Sequence, residues 1–162
     1  MVGKELCKPG RLYPFFQLTV DKIEKYTQTR NVIYAYSPDR YWKDEQDFML
    51  RYPGDKYVEL IGFDDYSIGS DSAALQATIR RAKIVSRLSE QHKKVAALFE
   101  TANSNEATSD RFFSDFFQPI IGADGVNFGL VQLWSTGKLN TEKEIADRTR
   151  FLKSGLVKVI DQ

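Results

Sequence analysis

Short apolar runs alternate along this chain with longer segments in which apolar residues recur every three or four positions. The short runs are typical of strands buried on both faces of a sheet, and the recurrent pattern is typical of amphipathic helices. Strands are therefore predicted over 31–36, 57–63, 95–99 and 128–134. Helices are predicted over 11–26, from 70 to 88, over 112–121 and from 141 onward, with a weaker helical turn over 41–50.

This alternation of buried strands with amphipathic helices predicts an α/β fold with a parallel sheet and right-handed crossovers. Four such units amount to half of a (β/α)₈ barrel of the TIM-barrel type, since a full barrel needs about 250 residues. The pattern leaves two possibilities open, a small open sheet or the second half of a larger barrel. With 162 residues the chain is expected to form one domain spanning 1–162.

The segment 51–66, RYPGDKYVELIGFDDY, joins a turn, a buried strand and an acidic end. Pro53 and Gly54 have turn chemistry, and the apolar run that follows stops at Asp64, Asp65 and Tyr66. Open α/β sheets and α/β barrels bind their ligands at the carboxyl ends of parallel strands. The acidic end is therefore compatible with a functional site, and equally with a loop that caps the next helix.

Polar and aromatic residues stand at or just after the end of each predicted strand. They are Asp39, Asp64, Tyr66, Glu100 and Trp134. Because parallel strands end on one rim, these side chains should meet there. Carboxylates, a phenol and an indole are what a retaining glycosidase uses as nucleophile, orienting group and sugar platform. Taken singly, Glu100 is equally compatible with a role as a helix cap. Trp134 and Tyr66, taken singly, are compatible with packing roles.

Composition narrows the chemistry further. Lys and Arg number 23 and Asp and Glu 22, for a formal charge of +1, which gives no electrostatic support for a nucleic-acid partner. The single Cys7 and single His92 exclude an internal disulfide and a zinc site built from several His or Cys, so no metal or cofactor is expected. No run approaches the roughly 18 apolar residues of a membrane span. Aromatic residues make up 13%, which favours a sugar ligand.

Four segments together resemble the second half of the family 26 glycoside hydrolases, the β-mannanases of the (β/α)₈ retaining-glycosidase clan. They are NVIYAYSPDR, RYPGDKYVELIGFDDY, the strand ending in Phe99-Glu100-Thr101, and the helix FFSDFFQPI before a strand ending in Trp134. The resemblance covers most of residues 12–136. It implies that strands five to eight of the barrel are present, a β-mannan substrate, and a secreted or cell-surface location.

The resemblance also implies roles for the rim residues. Glu100 matches the catalytic nucleophile, Tyr66 the tyrosine that contacts it, Asp64 an aspartate beside the site, and Trp134 the floor of the subsite for the cleaved sugar. Asp39 is expected to contact the substrate as well. The sequence departs from the family where Ala102 follows Thr101 and where Ser135 and Thr136 follow Trp134.

A second departure concerns the general acid/base glutamate of the family, which has no counterpart because Met1 falls just after the matching strand would end. Neither Glu106 nor Asp39 lies at the matching strand. The isolated chain is therefore expected to be inactive or weak, and to self-associate or to need its other half barrel.

Two other interpretations remain. One is a non-catalytic carbohydrate-binding or scaffold module derived from a glycosidase, which keeps the aromatic rim and has lost the chemistry. The other is a small flavodoxin-like domain, although the sequence after the first strand reads SPDR, which is not a glycine-rich phosphate loop.

Overall fold

The computed structural model describes residues 9–102, 106–134 and 141–158. Its helices are α1 (Pro9–Tyr26), α2 (Glu45–Met49), α3 (Ser72–His92), α4 (Gln118–Ile121) and α5 (Glu142–Leu152). Its strands are β1 (Ala35–Tyr36), β2 (Leu60–Asp64), β3 (Val95–Thr101) and β4 (Leu130–Leu133). A 3₁₀ turn, Asp55–Tyr57, precedes β2, and a 3₁₀ segment, Glu106–Arg111, and a π-helical segment, Phe113–Phe117, precede α4.

The four strands form one parallel sheet in the order β1-β2-β3-β4. Each strand pairs with the strand that precedes it in the chain, as in a (β/α)₈ barrel. A flavodoxin-like sheet instead reverses its strand order at the switch point where the ligand binds. The predicted parallel α/β sheet is confirmed, and the flavodoxin-like interpretation is wrong because this sheet has no reversal among the described strands.

Three strands are shorter than their apolar runs predict, including β4, which was expected over 128–134 but is Leu130–Leu133. The first was expected over 31–36 but is only Ala35–Tyr36, because the Tyr34 N–H donates to the Glu59 side chain at 2.8 Å instead of to a neighbouring strand. The second was expected from residue 57 but begins at Leu60, because Gly54, with φ of 101°, leads into the 3₁₀ turn. Apolar composition thus located the strands but not the local hydrogen bonds that limit them.

The predicted helix over 112–121 is divided into π-helical and α-helical parts. Pro119 has no N–H to donate, so regular α-helical bonding cannot pass through it. The segment is also held from outside, since the buried Asp147 side chain of α5 accepts the N–H groups of Phe113 at 2.8 Å and Ser114 at 3.3 Å. Helical spacing alone cannot distinguish these windings.

The hydrophobic core lies between the sheet and the helices. On the sheet, Ile61, Phe63, Ala96 and Leu98 are buried, and α3 contributes its predicted apolar stripe, including Ala82, Val85 and Leu88. Helix α3 begins at the predicted position because the Asp71 side chain caps it, accepting the Ala74 N–H at 2.7 Å. Helix α5 begins close to the predicted residue 141, where Thr141 and Glu144 form a capping box. Within the described residues, no helix has the length and apolarity that crossing a membrane requires.

Gly62 in β2 is required by close packing against β3. A β-carbon at this position would lie 2.5 Å from both the Ala97 carbonyl oxygen and the Phe99 ring, and the carbonyl belongs to the backbone and cannot rotate away. We expect Gly62→Ala to lower the free energy of unfolding by about 1–3 kcal/mol, the usual cost of overpacking. Urea unfolding with an unchanged slope measures this, and a loss smaller than about 0.5 kcal/mol would show that β3 shifts freely.

Candidate functional site

An irregularity in β3 decides which way Glu100 points. Ala96 and Leu98 face the helices, so simple alternation would direct Glu100 to the same side. The register with β2 shifts here, from Phe63 opposite Leu98 to Asp64 opposite Glu100. Phe99 is the extra residue of this bulge, and the change of phase directs Glu100 to the face of the sheet that carries Asp64. Bulges of this kind often re-aim side chains beside active sites.

The Glu100 carboxylate contacts Tyr66 from the loop after β2. The Tyr66 hydroxyl donates to Glu100 Oε2 at 2.9 Å. Partial removal from water, the hydrogen bond to Glu100 and its negative charge raise the pKa of Tyr66 to about 12. Tyr66 is therefore a protonated hydrogen-bond donor throughout the neutral range, and its bond orients the carboxylate.

Asp64 lies beside Glu100 on the neighbouring strand. Its Oδ1 accepts a hydrogen bond from the Ser37 hydroxyl at 2.7 Å, which ties it to the loop after β1. Burial is the main cause that raises the pKa of Asp64, and the charges of Glu100 and Asp39 raise it further against the opposing effect of Ser37. Asp39 pairs with Asp64 through an isolated parallel bridge and has an exposed side chain. Three carboxylates thus lie along one rim.

Trp134 follows directly after β4 on the same rim. Its N–H donates to the Thr101 carbonyl at 2.8 Å, which fixes its backbone next to the residue that follows Glu100. Its side chain is 65% exposed and is therefore not a core residue. An exposed indole at a rim of carboxylates can stack on the face of a sugar ring. Ser135 and Thr136 lie outside the described residues.

The structure thus brings Glu100, Tyr66, Asp64 and Asp39 together and places Trp134 on the same rim. Sequence reasoning missed Asp65, which points to the opposite side of β2 and is fully buried. A signal was available in the alternation of β2, because Asp65 has the phase of the core residues Ile61 and Phe63. An acid in a core phase indicates a buried, partnered carboxylate.

The raised pKa of Asp64 predicts a specific pH dependence of stability. A carboxyl whose pKa is higher in the folded state favours folding when protonated, and this contribution is lost as pH rises through the folded pKa. We therefore expect Asp64→Asn to increase the free energy of unfolding at pH 7. This gain should shrink as pH falls toward about 3.9, the pKa of an aspartate side chain in the unfolded chain. Urea unfolding at several pH values measures the difference.

The matched control for this measurement is Asp39→Asn, because Asp39 is an exposed carboxylate on the same rim. Its effect at pH 7 should be smaller, since exposed side chains contribute little to stability. If Asp64→Asn destabilised the protein equally at every pH, the Ser37 hydrogen bond and not the charge of Asp64 would dominate.

Comparison with known proteins links this arrangement to one enzyme family. The profile of Glycosyl hydrolase family 26 matches residues 3–124. A mannan endo-1,4-beta-mannosidase from Bifidobacterium adolescentis is 29% identical over 119 residues, which are 65% of this chain and 12% of that protein. The region matched by the family profile contains the rim residues Asp39, Asp64, Tyr66 and Glu100, whereas Trp134 lies beyond its last residue, 124.

Solved structures of family 26 proteins also superpose on this chain. GH26C from Muricauda sp. MAR_2010_75 superposes with a TM-score of 0.86 and 25% identity, over 97% of this chain and 45% of that one. A GH26 beta-mannanase from Bacteroides ovatus superposes with a TM-score of 0.77 and 22% identity, over 94% of this chain and 45% of that one. This second similarity is one of fold. The chain spans less than half the length of these relatives, and its sheet corresponds to part of a (β/α)₈ barrel, as predicted.

Proposed function

This chain belongs to glycosyl hydrolase family 26, and we propose that it supplies the nucleophile side of the active site of a retaining endo-β-1,4-mannanase. The hydrogen bond between Tyr66 and Glu100 carries this proposal, because a carboxylate held in one orientation is what a glycosidase nucleophile needs. The Bifidobacterium relative is named for mannan hydrolysis, which supports β-mannan as the substrate class.

In the proposed reaction, a Glu100 oxygen attacks the anomeric carbon and forms an ester, while the glycosidic bond breaks and the leaving oxygen receives a proton from a second carboxyl. Water then attacks the same carbon and gives a proton to the second carboxyl. The ester bond breaks, which releases the Glu100 carboxylate. Tyr66 orients the nucleophile by donating to Oε2. Trp134 supports the sugar ring, and Asp64 and Asp39 bind its hydroxyl groups.

The second carboxyl is the part that this chain does not supply in our proposal. Retaining enzymes place their two carboxyl groups about 5–5.5 Å apart, on opposite sides of the bond that breaks. Asp64 is committed to Ser37 and lies on the strand next to Glu100, which suits substrate binding better than proton delivery. We propose that the acid/base residue comes from another part of the barrel, and that the isolated chain hydrolyses mannan weakly or not at all.

The described part of the sheet supports the need for further strands. β1 pairs only with β2 and β4 only with β3 among the described strands, so two edges offer unpaired backbone groups. Val95 of β3 is 46% exposed and Ile33, just before β1, is 69% exposed. We propose that 1–162 is one domain equivalent to strands five to eight, and that it self-associates or pairs with the other half barrel. A compact, stable monomer in size-exclusion chromatography would contradict this.

The exposed indole of Trp134 also supports a second candidate function, a non-catalytic module that binds carbohydrate through the same rim. The two functions differ in one measurement. The product of the complete open reading frame that encodes this chain, hereafter the complete gene product, is assayed for release of reducing ends from β-mannan and for binding to it. Hydrolysis supports the enzyme, and binding without hydrolysis supports the module.

A further inference from the structure

Asp65 is a fully buried carboxylate that lies between the rim residues Asp64 and Tyr66 in the sequence. Its exposed fraction is 0%. It points away from the rim, toward α3, while its neighbours Asp64 and Tyr66 point toward Glu100. None of the roles described for the rim residues uses Asp65, although burying a charged group costs free energy unless it is well partnered.

The carboxylate of Asp65 is partnered at both oxygens. Oδ1 accepts hydrogen bonds from the Ser67 N–H at 2.9 Å and the Ser67 hydroxyl at 2.5 Å. Oδ2 accepts one from the Thr78 hydroxyl at 2.8 Å and one from Arg81 Nη1 at 3.3 Å. Arg40 Nε lies 3.9 Å from Oδ1. The negative charge is thus met by two arginines, one on α3 and one in the loop after β1.

These contacts fasten three segments of the site to one another. Thr78 and Arg81 lie on α3, one turn apart, so the carboxylate fixes the end of β2 against that helix. The Asp65 N–H donates to the Glu100 carbonyl at 2.9 Å, and the Arg40 N–H donates to the Asp64 carbonyl at 3.0 Å. Movement of Asp65 would therefore displace the backbone on both sides of the Tyr66 to Glu100 bond.

We propose that Asp65 is a positioning residue of this site, which holds the Tyr66 hydroxyl on Glu100 by fastening the end of β2 to α3. The consequence for turnover rests on the proposed function of Glu100. The geometric part does not, because the contact between Tyr66 and Glu100 can be measured without any reaction.

The test compares two variants of the complete gene product. Asp65→Asn keeps the shape of the side chain but removes its charge and presents an amide to the donors of Arg81 and Thr78. Thr78→Val is nearly isosteric and removes only the hydroxyl, which contacts Asp65 Oδ2 at 2.8 Å and the Ala74 carbonyl at 3.1 Å, so it keeps the experiment interpretable if Asp65→Asn folds poorly. Asp55→Asn is the control, because Asp55 also accepts bonds from two side chains, Tyr52 and His92, at the opposite end of β2.

The first measurement is the titration of Tyr66 by NMR of ¹³C-labelled tyrosine, with Tyr66→Phe identifying its resonance. In the parent and in Asp55→Asn, Tyr66 should remain protonated to about pH 11, as its pKa of about 12 requires. In Asp65→Asn, and to a lesser extent in Thr78→Val, ionisation should begin closer to pH 10, the ordinary range of tyrosine. An unchanged titration in both variants would overturn the proposal.

The second measurement is mannan hydrolysis. Misplacing a reacting group by about 1 Å can cost about 100-fold, so Asp65→Asn should lower kcat by roughly 10-fold to 100-fold and change KM much less. A rise in KM with unchanged kcat would overturn the positioning role. If the parent protein does not hydrolyse mannan, the proposed function fails while the titration still decides the role of Asp65.

Discussion

Glu100→Gln in the complete gene product is expected to abolish hydrolysis of β-mannan, lowering kcat by about 10⁴-fold or more. The amide cannot form the ester with the anomeric carbon, and it has no negative charge to stabilise the developing positive charge of the sugar. Binding should persist, because Trp134, Asp64 and Asp39 are unchanged. Initial rates of reducing-end release, together with binding to immobilised mannan, separate the two effects.

A matched control for this substitution is Glu59→Gln. Glu59 lies just before β2, at the opposite end from the rim, where its Oε2 accepts the Tyr34 N–H at 2.8 Å. The amide retains an oxygen that can accept this bond, so the rate should stay close to that of the parent. Hydrolysis that survives Glu100→Gln at more than about one tenth of the parent rate would remove Glu100 as the nucleophile.

Phe63→Ala is expected to destabilise the protein by about 3–5 kcal/mol, the range found when large aromatic side chains are removed from cores. Phe63 has an exposed fraction of 0% and contacts the rings of Trp42 and Phe128, with centroids 6.1 Å and 6.3 Å away. The cavity would lie between the sheet and its helices, on the face of β2 that also carries Asp65. Urea unfolding measures the loss, with Phe63→Leu as the milder companion.

Phe63→Leu preserves most of the apolar volume, so it should lose clearly less than Phe63→Ala. Equal losses would indicate that the contacts with the rings of Trp42 and Phe128, and not the buried volume, carry the stabilisation. A loss below about 1 kcal/mol for Phe63→Ala would contradict the placement of Phe63 in the core.

The parallel sheet could be predicted from the sequence because two features mark its strands. Val95-Ala96-Ala97-Leu98-Phe99 is apolar throughout, as a strand covered on both faces must be, and each such run is followed by a polar end. The helix starts near 70 and 141 were predicted as well, and the caps that fix them, Asp71 and Thr141, bond to residues close in sequence. Local chemistry was therefore sufficient for the order of elements.

The bulge at Phe99 could not be predicted in the same way, although it decides the direction of Glu100. It depends on the register between β2 and β3, which are separated by the whole of α3. Resemblance to the family supplied the role of Glu100 where alternation along β3 would have turned it toward the helices. Long-range register is the information that a local pattern lacks.

Asp65 shows a second limit of local reasoning. The sequence presents Asp64 and Asp65 as a pair, and their difference appears only when the strand is placed between a rim and a helix. Asp64 then contacts Ser37 and lies beside Glu100, whereas Asp65 contacts Thr78 and Arg81 on α3. Adjacent acids in a strand can thus serve different purposes, because successive side chains point to opposite faces.

The most direct test of Glu100 as nucleophile is to trap the covalent intermediate. The complete gene product is incubated with a fluorosugar analogue of mannobiose that forms the glycosyl ester quickly and hydrolyses it slowly, and the labelled peptide is identified by mass spectrometry. We predict a single added glycosyl group on the peptide that contains Glu100, and no label in Glu100→Gln. A label on another carboxylate, or active enzyme that accumulates no ester, would contradict the account.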